Sequence, residues 1–174
     1  MTAARDEALA FRRLMGRWPT GVAIVTARSE GRDYGLTVNA LLSVSLSPPT
    51  LLVSLGNEAD STPVVERSGR YAVSFLTASQ RAISERFAQT TSPEEKFRDL
   101  PVDRTPGGLA VLPGSVARLE CRVRRVVPEL DHRLVFGAVD WVDLGPDAGP
   151  LLFHRGGYAE DDGHGGLRLP PARP

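Results

Sequence analysis

Thr37, Asn39, Ser43 and Ser45, with Leu41 completing the series, occupy alternate positions in the stretch GLTVNALLSVSLSPPTLLVSL from Gly35 to Leu55. Val38, Ala40, Leu42, Val44 and Leu46 lie between them, a period of two that predicts a β-strand with one core face. The other face carries hydroxyls, an amide and one leucine. A strand face turned to water usually carries Lys, Glu or Arg, and this one has no charge. Its chemistry is neutral hydrogen bonding. It is either the floor of a site for a polar, uncharged ligand or a surface covered by another part of the fold, with its hydroxyls bonded to backbone.

Other groups could join such a site. The polar loop Asn57 to Thr62 runs into Pro63, which places Thr62 as N-cap and proline at the first position of a short helix ending near Ser68. The start of that helix offers free amides and a partial positive charge, so it is either a candidate anion site or an ordinary cap. His132 lies in a turn, and Gly156-Gly157-Tyr158 makes a corner late in the chain. There is no GxGxxG after a strand, and GxxxxGK[ST], GxSxG and HExxH are also missing. His132, His154 and His164 are too scattered to hold a metal, and no carboxylates pair for acid–base work. A neutral floor, a helix start, a histidine and an aromatic corner suit a planar, hydrogen-bonding cofactor with an anionic tail. Such a cofactor needs orientation and electrostatics from its protein, not a catalytic triad.

The elements that must position these groups follow from the pattern. Ala8, Phe11, Leu14 and Met15 recur at helical spacing, with Trp18 continuing the stripe, which predicts a first helix over 5–15 packed on a sheet. Val22 to Ala27 reads as a strand buried on both faces, and Thr50 to Leu55 as the strand after Pro48-Pro49. Tyr71 to Leu76 is a further strand. Thr77 with Gln80, and Ser92 with Glu95, form capping-box starts of two short helices. Ser115 to Val127 alternates, with Ala117, Leu119, Cys121 and Val123 inward and Arg118, Glu120, Arg122 and Arg124 outward. It pairs with Arg133 to Leu144 as a hairpin, and Pro150 to Phe153 begins the last strand. Strands with only short helices between them predict a mainly β, antiparallel barrel with peripheral helices. Residues 1–160 read as one domain and 161–174 as a mobile tail rich in Gly, Pro and charge.

With 21 basic and 21 acidic residues, the chain gives no electrostatic reason to expect nucleic acid or membrane partners. The first residues lack the apolar run of a signal peptide, and Cys121 is the sole cysteine, so the expectation is a cytoplasmic protein without disulfides. Lys96 is the lone lysine.

The ordered series RWPTGVAIVTA (17–27), GLTVNALLSVSLSPP (35–49), AVSFL, Q and SERFA (72–88), Asp131-His132 and LLFHRGGY (151–158) resembles the flavin reductase-like family, the reductase components of two-component flavin-dependent monooxygenases. The resemblance covers 11–158. It implies an antiparallel split β-barrel that binds FMN, a homodimer, and reduction of FMN or FAD by NADH or NADPH, with reduced flavin released to a partner monooxygenase. Carried over by motif, Thr37, Asn39, Ala40 and Ser43 line the ring and ribityl chain, and Ser54, Asn57, Ser61 and Thr62 hold the phosphate. His132 and Tyr158 sit where the nicotinamide stacks, with Arg155 near the corner. In the family a glycine often precedes the Asp-His pair; Leu130 stands there here. A non-catalytic flavin carrier or sensor, or a flavin oxidase, would use the same barrel.

Overall fold

The computed structural model describes residues 2–161, 167–168 and 170. In chain order the elements are α1 (Thr2–Met15), β1 (Thr20–Gly21), β2 (Ala23–Ser29), β3 (Arg32–Val38), β4 (Leu41–Leu46), β5 (Pro49–Gly56), α2 (Ser61–Ser68) and β6 (Arg70–Phe75). A 3-10 turn (Ala78–Gln80), α3 (Arg81–Phe87), α4 (Pro93–Phe97), β7 (Asp103–Arg104), β8 (Ala110–Val111), β9 (Ala117–Glu129) and β10 (His132–Leu144) follow. The last are β11 (Leu152–His154), β12 (Gly157–Tyr158), β13 (Glu160–Asp161) and β14 (Leu167–Arg168).

Seven strands form one antiparallel sheet in the order β3-β2-β6-β9-β10-β5-β4. Laid flat, its two edges would stand about 29 Å apart. Yet those edges, β3 and β4, are consecutive in the chain and joined only by Asn39 and Ala40. Three peptide steps from Val38 to Leu41 span at most about 11 Å. The sheet must therefore curl until its edges almost meet at that corner, without laddering to each other. This is a split barrel, mainly β with short peripheral helices. A small sheet, β1-β11-β12, lies beside it.

The core inside the curl is built from Val25, Val38, Val53, Leu55, Val65, Tyr71, Val73, Cys121 and Val135, all buried. Val22, Ile24, Leu76, Phe87, Leu112 and Leu151 form a second cluster. Both faces of β2 feed these clusters, as its nearly all-apolar run predicts. Gly35 lets the ring of Phe87 come close: a Cβ there would stand 2.6 Å from Phe87 Cε1.

The alternation over 35–46 predicts one strand, and here the structure differs. The Asn39-Ala40 corner carries the chain from one edge of the barrel to the other. From inward Val38 to Leu41, which packs against the main core, is an odd step, so the alternation changes phase. Leu42, Val44 and Leu46 are consequently 57, 44 and 86% exposed rather than core, and Ala40 is exposed too. A register shift between Ser43 and Ser45 adds to the change.

Three further expectations are corrected. The apolar residues of α1 are not covered: Phe11 is 66% exposed, and Leu9, Leu14, Met15 and Trp18 are exposed as well. Glu120, expected outward, is 1% exposed, because the 103–111 segment folds over it; it accepts from Arg70 Nε at 2.7 Å and from the Gly107 amide at 2.9 Å. The helix expected to start at Pro63 starts two residues earlier, with Asp60 as N-cap. The proposed tail falls partly outside the described residues, and His164 wholly so; where the tail begins, 160–161 pair with 167–168. The Thr77 and Ser92 starts are as the pattern predicts: Thr77 N donates to Gln80 Oε1 at 3.1 Å, and Glu95 N to Ser92 Oγ at 3.2 Å.

Candidate functional site

Asn39 and Ala40 sit in the opening of the barrel wall, where neither edge strand supplies the other with hydrogen bonds. The Ala40 carbonyl accepts from Ser54 N at 3.0 Å, which ties the corner to β5. The side chains of Asn39 and Ser43 are exposed and have no hydrogen-bond partner among the described residues. Beside the corner opens a cavity of about 410 Å³, walled by the 18–23 segment, by Val38, Asn39 and Leu41, and by Pro150-Leu151. Its lining is chiefly apolar with the Asn39 amide at one side, a composition suited to a flat ring that hydrogen-bonds at its edge. Trp18 stands exposed at the rim, and Thr20 Oγ1 is buried in the wall without a partner.

The remaining hydroxyls of the floor are spoken for. Thr37 donates to the Ser84 carbonyl of α3 at 2.7 Å, and Ser45 Oγ accepts from Ser47 N at 3.2 Å. For Thr37 the covered-strand reading holds, because α3 lies over the outer face of β3; Ser45 stays partly exposed and is bonded only to the backbone of the turn that follows.

From the corner, β5 leads to the start of α2. Ser54 is half-buried, and Ser61 and Thr62 are buried in the first turn of the helix. The Thr62 hydroxyl donates to the Gly56 carbonyl at 2.7 Å. Asn57 clamps the β9–β10 hairpin tip: its backbone N donates to the Asp131 carbonyl at 2.9 Å and its Nδ2 to the Leu130 carbonyl at 3.0 Å. A small pocket of about 110 Å³ opens here between Asn57, Thr62, Pro63, Glu66 and Arg133. Arg133, the cation among its lining residues, pairs with Glu66 at 3.0 Å, so its charge is already matched within the pocket. At the tip, His132 Nδ1 is 2.8 Å from Asp131 Oδ1, and that hydrogen bond holds the Asp131 carboxyl below the usual range.

Tyr158 lies at the other end of the site. The Arg155-Gly156 turn, with φ of 50° and 76°, is the tight two-residue connection that lets β12 fold back on β11. Arg155 N donates to the Gly16 carbonyl at 2.6 Å, and the Arg155 side chain is exposed. The Tyr158 hydroxyl is 2.7 Å from Ser84 Oγ. Among the described residues no hydrogen bond, ion pair or ring contact links His132 to Tyr158. His132 stands opposite Gly56, near α2, while Phe153, the partner of Tyr158, stands opposite Thr20 of β1, by the cavity.

The structure joins Ala40 to Ser54, which the sequence reading groups with Asn57, Ser61 and Thr62, and puts those last three at one helix start. Sequence reasoning misses the 18–21 wall, Pro150-Leu151, Arg133 and Ser84. The WPTG run, a helix stop followed by a two-residue strand, was a usable local signal for the wall. Nothing local marks Ser84, whose partners lie 47 and 74 positions away.

A model of the flavin reductase-like domain matches residues 15–160. Over 149 residues the chain is 37% identical to the reductase component of 4-hydroxyphenylacetate 3-monooxygenase from Thermus thermophilus, covering 86% of this chain and 93% of that one. It is 38% identical to the NADH-dependent FMN reductase AsuE2 of Streptomyces nodosus subsp. asukaensis, covering 85% and 82%. Among solved structures, nitrilotriacetate monooxygenase component B from Mycobacterium thermoresistibile superposes with a TM-score of 0.86 at 31% identity, over 98% of this chain and 94% of that one.

Proposed function

Since the chain belongs to the flavin reductase-like family, we propose that it carries out its reaction at the Asn39-Ala40 corner. It is an NAD(P)H:flavin oxidoreductase that supplies reduced flavin to a partner monooxygenase. Flavin, FMN or FAD, supplies the electron-accepting chemistry: one hydride from NAD(P)H and one proton convert it to the reduced form.

The chain's own contribution is placement. Asn39, Ala40 and Ser43 meet the ring and ribityl chain at the split, and the apolar cavity excludes water from one side. Ser54, Asn57, Ser61 and Thr62 line the way to the phosphate end, where the α2 amides favour negative charge. The hydroxyls of Thr37 and Thr62 and the Asn57 amide act chiefly through the backbone they hold. Tyr158 lies on the nicotinamide side, with Arg155 in the turn before it; His132 lies toward α2. Alignment of two stacked rings lowers the barrier chiefly by removing the entropy of bringing them together. Neutral donors around the corner also stabilise negative charge that develops on reduction. A single observation carries this reading: the break in the barrel wall between β3 and β4, at Asn39-Ala40, borders the 410 Å³ cavity, and Asn39 lines it.

A homodimer is part of the proposal. Exposed Leu42, Val44 and Leu46 on β4, Val142 and Leu144 on β10, and the α1 stripe are apolar surfaces that the described chain leaves open. Among the described residues no helix is long and apolar enough to cross a membrane. We place the reaction in the cytoplasm, with its nicotinamide supply. The test is direct: purified protein is mixed with NADH and free FMN, and the nicotinamide absorbance band is followed. Rapid, flavin-dependent loss supports the assignment of the corner when Asn39→Leu slows it. Equal rates in the two proteins refute that assignment.

A further inference from the structure

Ser84 lies on α3 with none of its surface exposed. A serine in a buried helix interior is a poor helix former and usually returns its hydroxyl to the carbonyl four residues earlier. This one reaches outward. Its hydroxyl is 2.7 Å from the Tyr158 hydroxyl, 74 positions on, and its backbone carbonyl accepts the Thr37 hydroxyl at 2.7 Å. One helical turn earlier, Arg81 places its guanidinium 5.4 Å from the centre of the Tyr158 ring. Phe153 meets the same ring edge-on at 5.5 Å. Thr37 is two residues from Asn39. Ser84 therefore joins two distant elements, its carbonyl tied to the strand that ends at the barrel split and its hydroxyl to the tip of an aromatic side chain on a separate small sheet. Packing alone would be met better by alanine at this position.

We propose that Ser84 is a positioning residue for the reductase reaction: by holding the Tyr158 hydroxyl to the helix that also anchors Thr37, it sets the aromatic side chain at a defined distance from the flavin corner and so governs nicotinamide binding. The proposal rests on the reading of Tyr158 as a nicotinamide contact. Ser84 itself touches neither substrate. Its effect falls on the binding of NADH rather than on flavin or on turnover.

Steady-state kinetics on the full chain with NADH and FMN test this. Ser84→Ala and Tyr158→Phe each break the same bond, and each raises KM for NADH about fivefold, the factor that one net hydrogen bond is worth. In both variants kcat changes less than KM, and FMN affinity in a fluorescence titration stays within about twofold, the size of one weak contact. The double variant shows no more than the larger single effect, because the second change removes nothing further. A merely structural serine would lower the urea midpoint and leave KM in place. Unchanged KM in both single variants, or effects that multiply in the double, overturn the role of Ser84. Tyr158→Ala separates the two levels: if it leaves KM for NADH unchanged, the placement of Tyr158 is wrong. If it raises KM while Ser84→Ala and Tyr158→Phe do not, only the role of Ser84 falls.

Discussion

Leu130 holds a left-handed backbone at the tip of the β9–β10 hairpin, with φ of 51°. For a residue with a Cβ this conformation costs roughly 1–2 kcal/mol. The side chain offsets none of that, being 91% exposed. What the position supplies is its carbonyl, which accepts from Asn57 Nδ2, and glycine would supply the same carbonyl. Leu130→Gly removes the left-handed strain and adds unfolded-chain entropy of about 0.5–1 kcal/mol against it. The expected net is stabilisation by about 0.5–1 kcal/mol, or a rise in Tm of roughly 1–3 °C for a chain of this size. Urea unfolding reads it as a higher midpoint with an unchanged slope, and the hairpin tip, with His132 on it, keeps its place. A lower midpoint would refute the reasoning, since it would mean that the exposed leucine contributes contacts, or that the tip does not need the left-handed turn.

Three other outcomes follow from the same coordinates. Asn39→Leu replaces the one free amide at the split and should weaken FMN binding by about tenfold, the effect of losing one or two hydrogen bonds; unchanged affinity in a fluorescence titration sinks that placement. Gly137→Ala puts a Cβ 2.3 Å from Tyr71 Oη and 2.7 Å from Cys121 Cβ, both in the core, and should cost about 2–3 kcal/mol in denaturant unfolding, as overpacking does. Burial pushes the Cys121 thiol up to about 11, so the folded state keeps a proton that the unfolded chain gives up near 9. That contribution is complete below pH 9 and is lost as pH rises toward 11, by about 2–3 kcal/mol. Burial also raises the Tyr71 phenol above its ordinary value, which extends the loss to higher pH. Cys121→Ala should flatten the first part of the decline, and an equally steep decline in that variant would place its origin elsewhere.

Much of the site could be read locally. Although the strand phase changes at Ala40 and the helix starts at Ser61, the uncharged side chains at Thr37, Asn39 and Ser43, a short helix opening within a few residues of Pro63 and the tight turn before Tyr158 all rest on interactions within a few residues. So do the hairpins and the two capped helices. What failed was the continuation of one pattern through a point where the chain leaves one strand neighbour for another. Nothing in the alternation of 35–46 distinguishes a strand from two strands on opposite edges of a barrel. The apolar stripe of α1 was likewise read correctly as a stripe and wrongly as covered, because periodicity reports a face and not its partner.

The succession of most strands along the chain, the capped helices and the neutral chemistry of the 35–46 segment were determined by the sequence, since backbone geometry and turn preference act between near neighbours. Closure of the sheet was decided only in three dimensions. Curling brings its edges together at Asn39-Ala40, reverses the phase of β4, and opens the wall beside the cavity. It also sets α3 over β3, so that Ser84 captures Thr37 and Tyr158 from 47 and 74 positions away. Contacts of that span depend on how the whole sheet bends, and no window of the chain contains them.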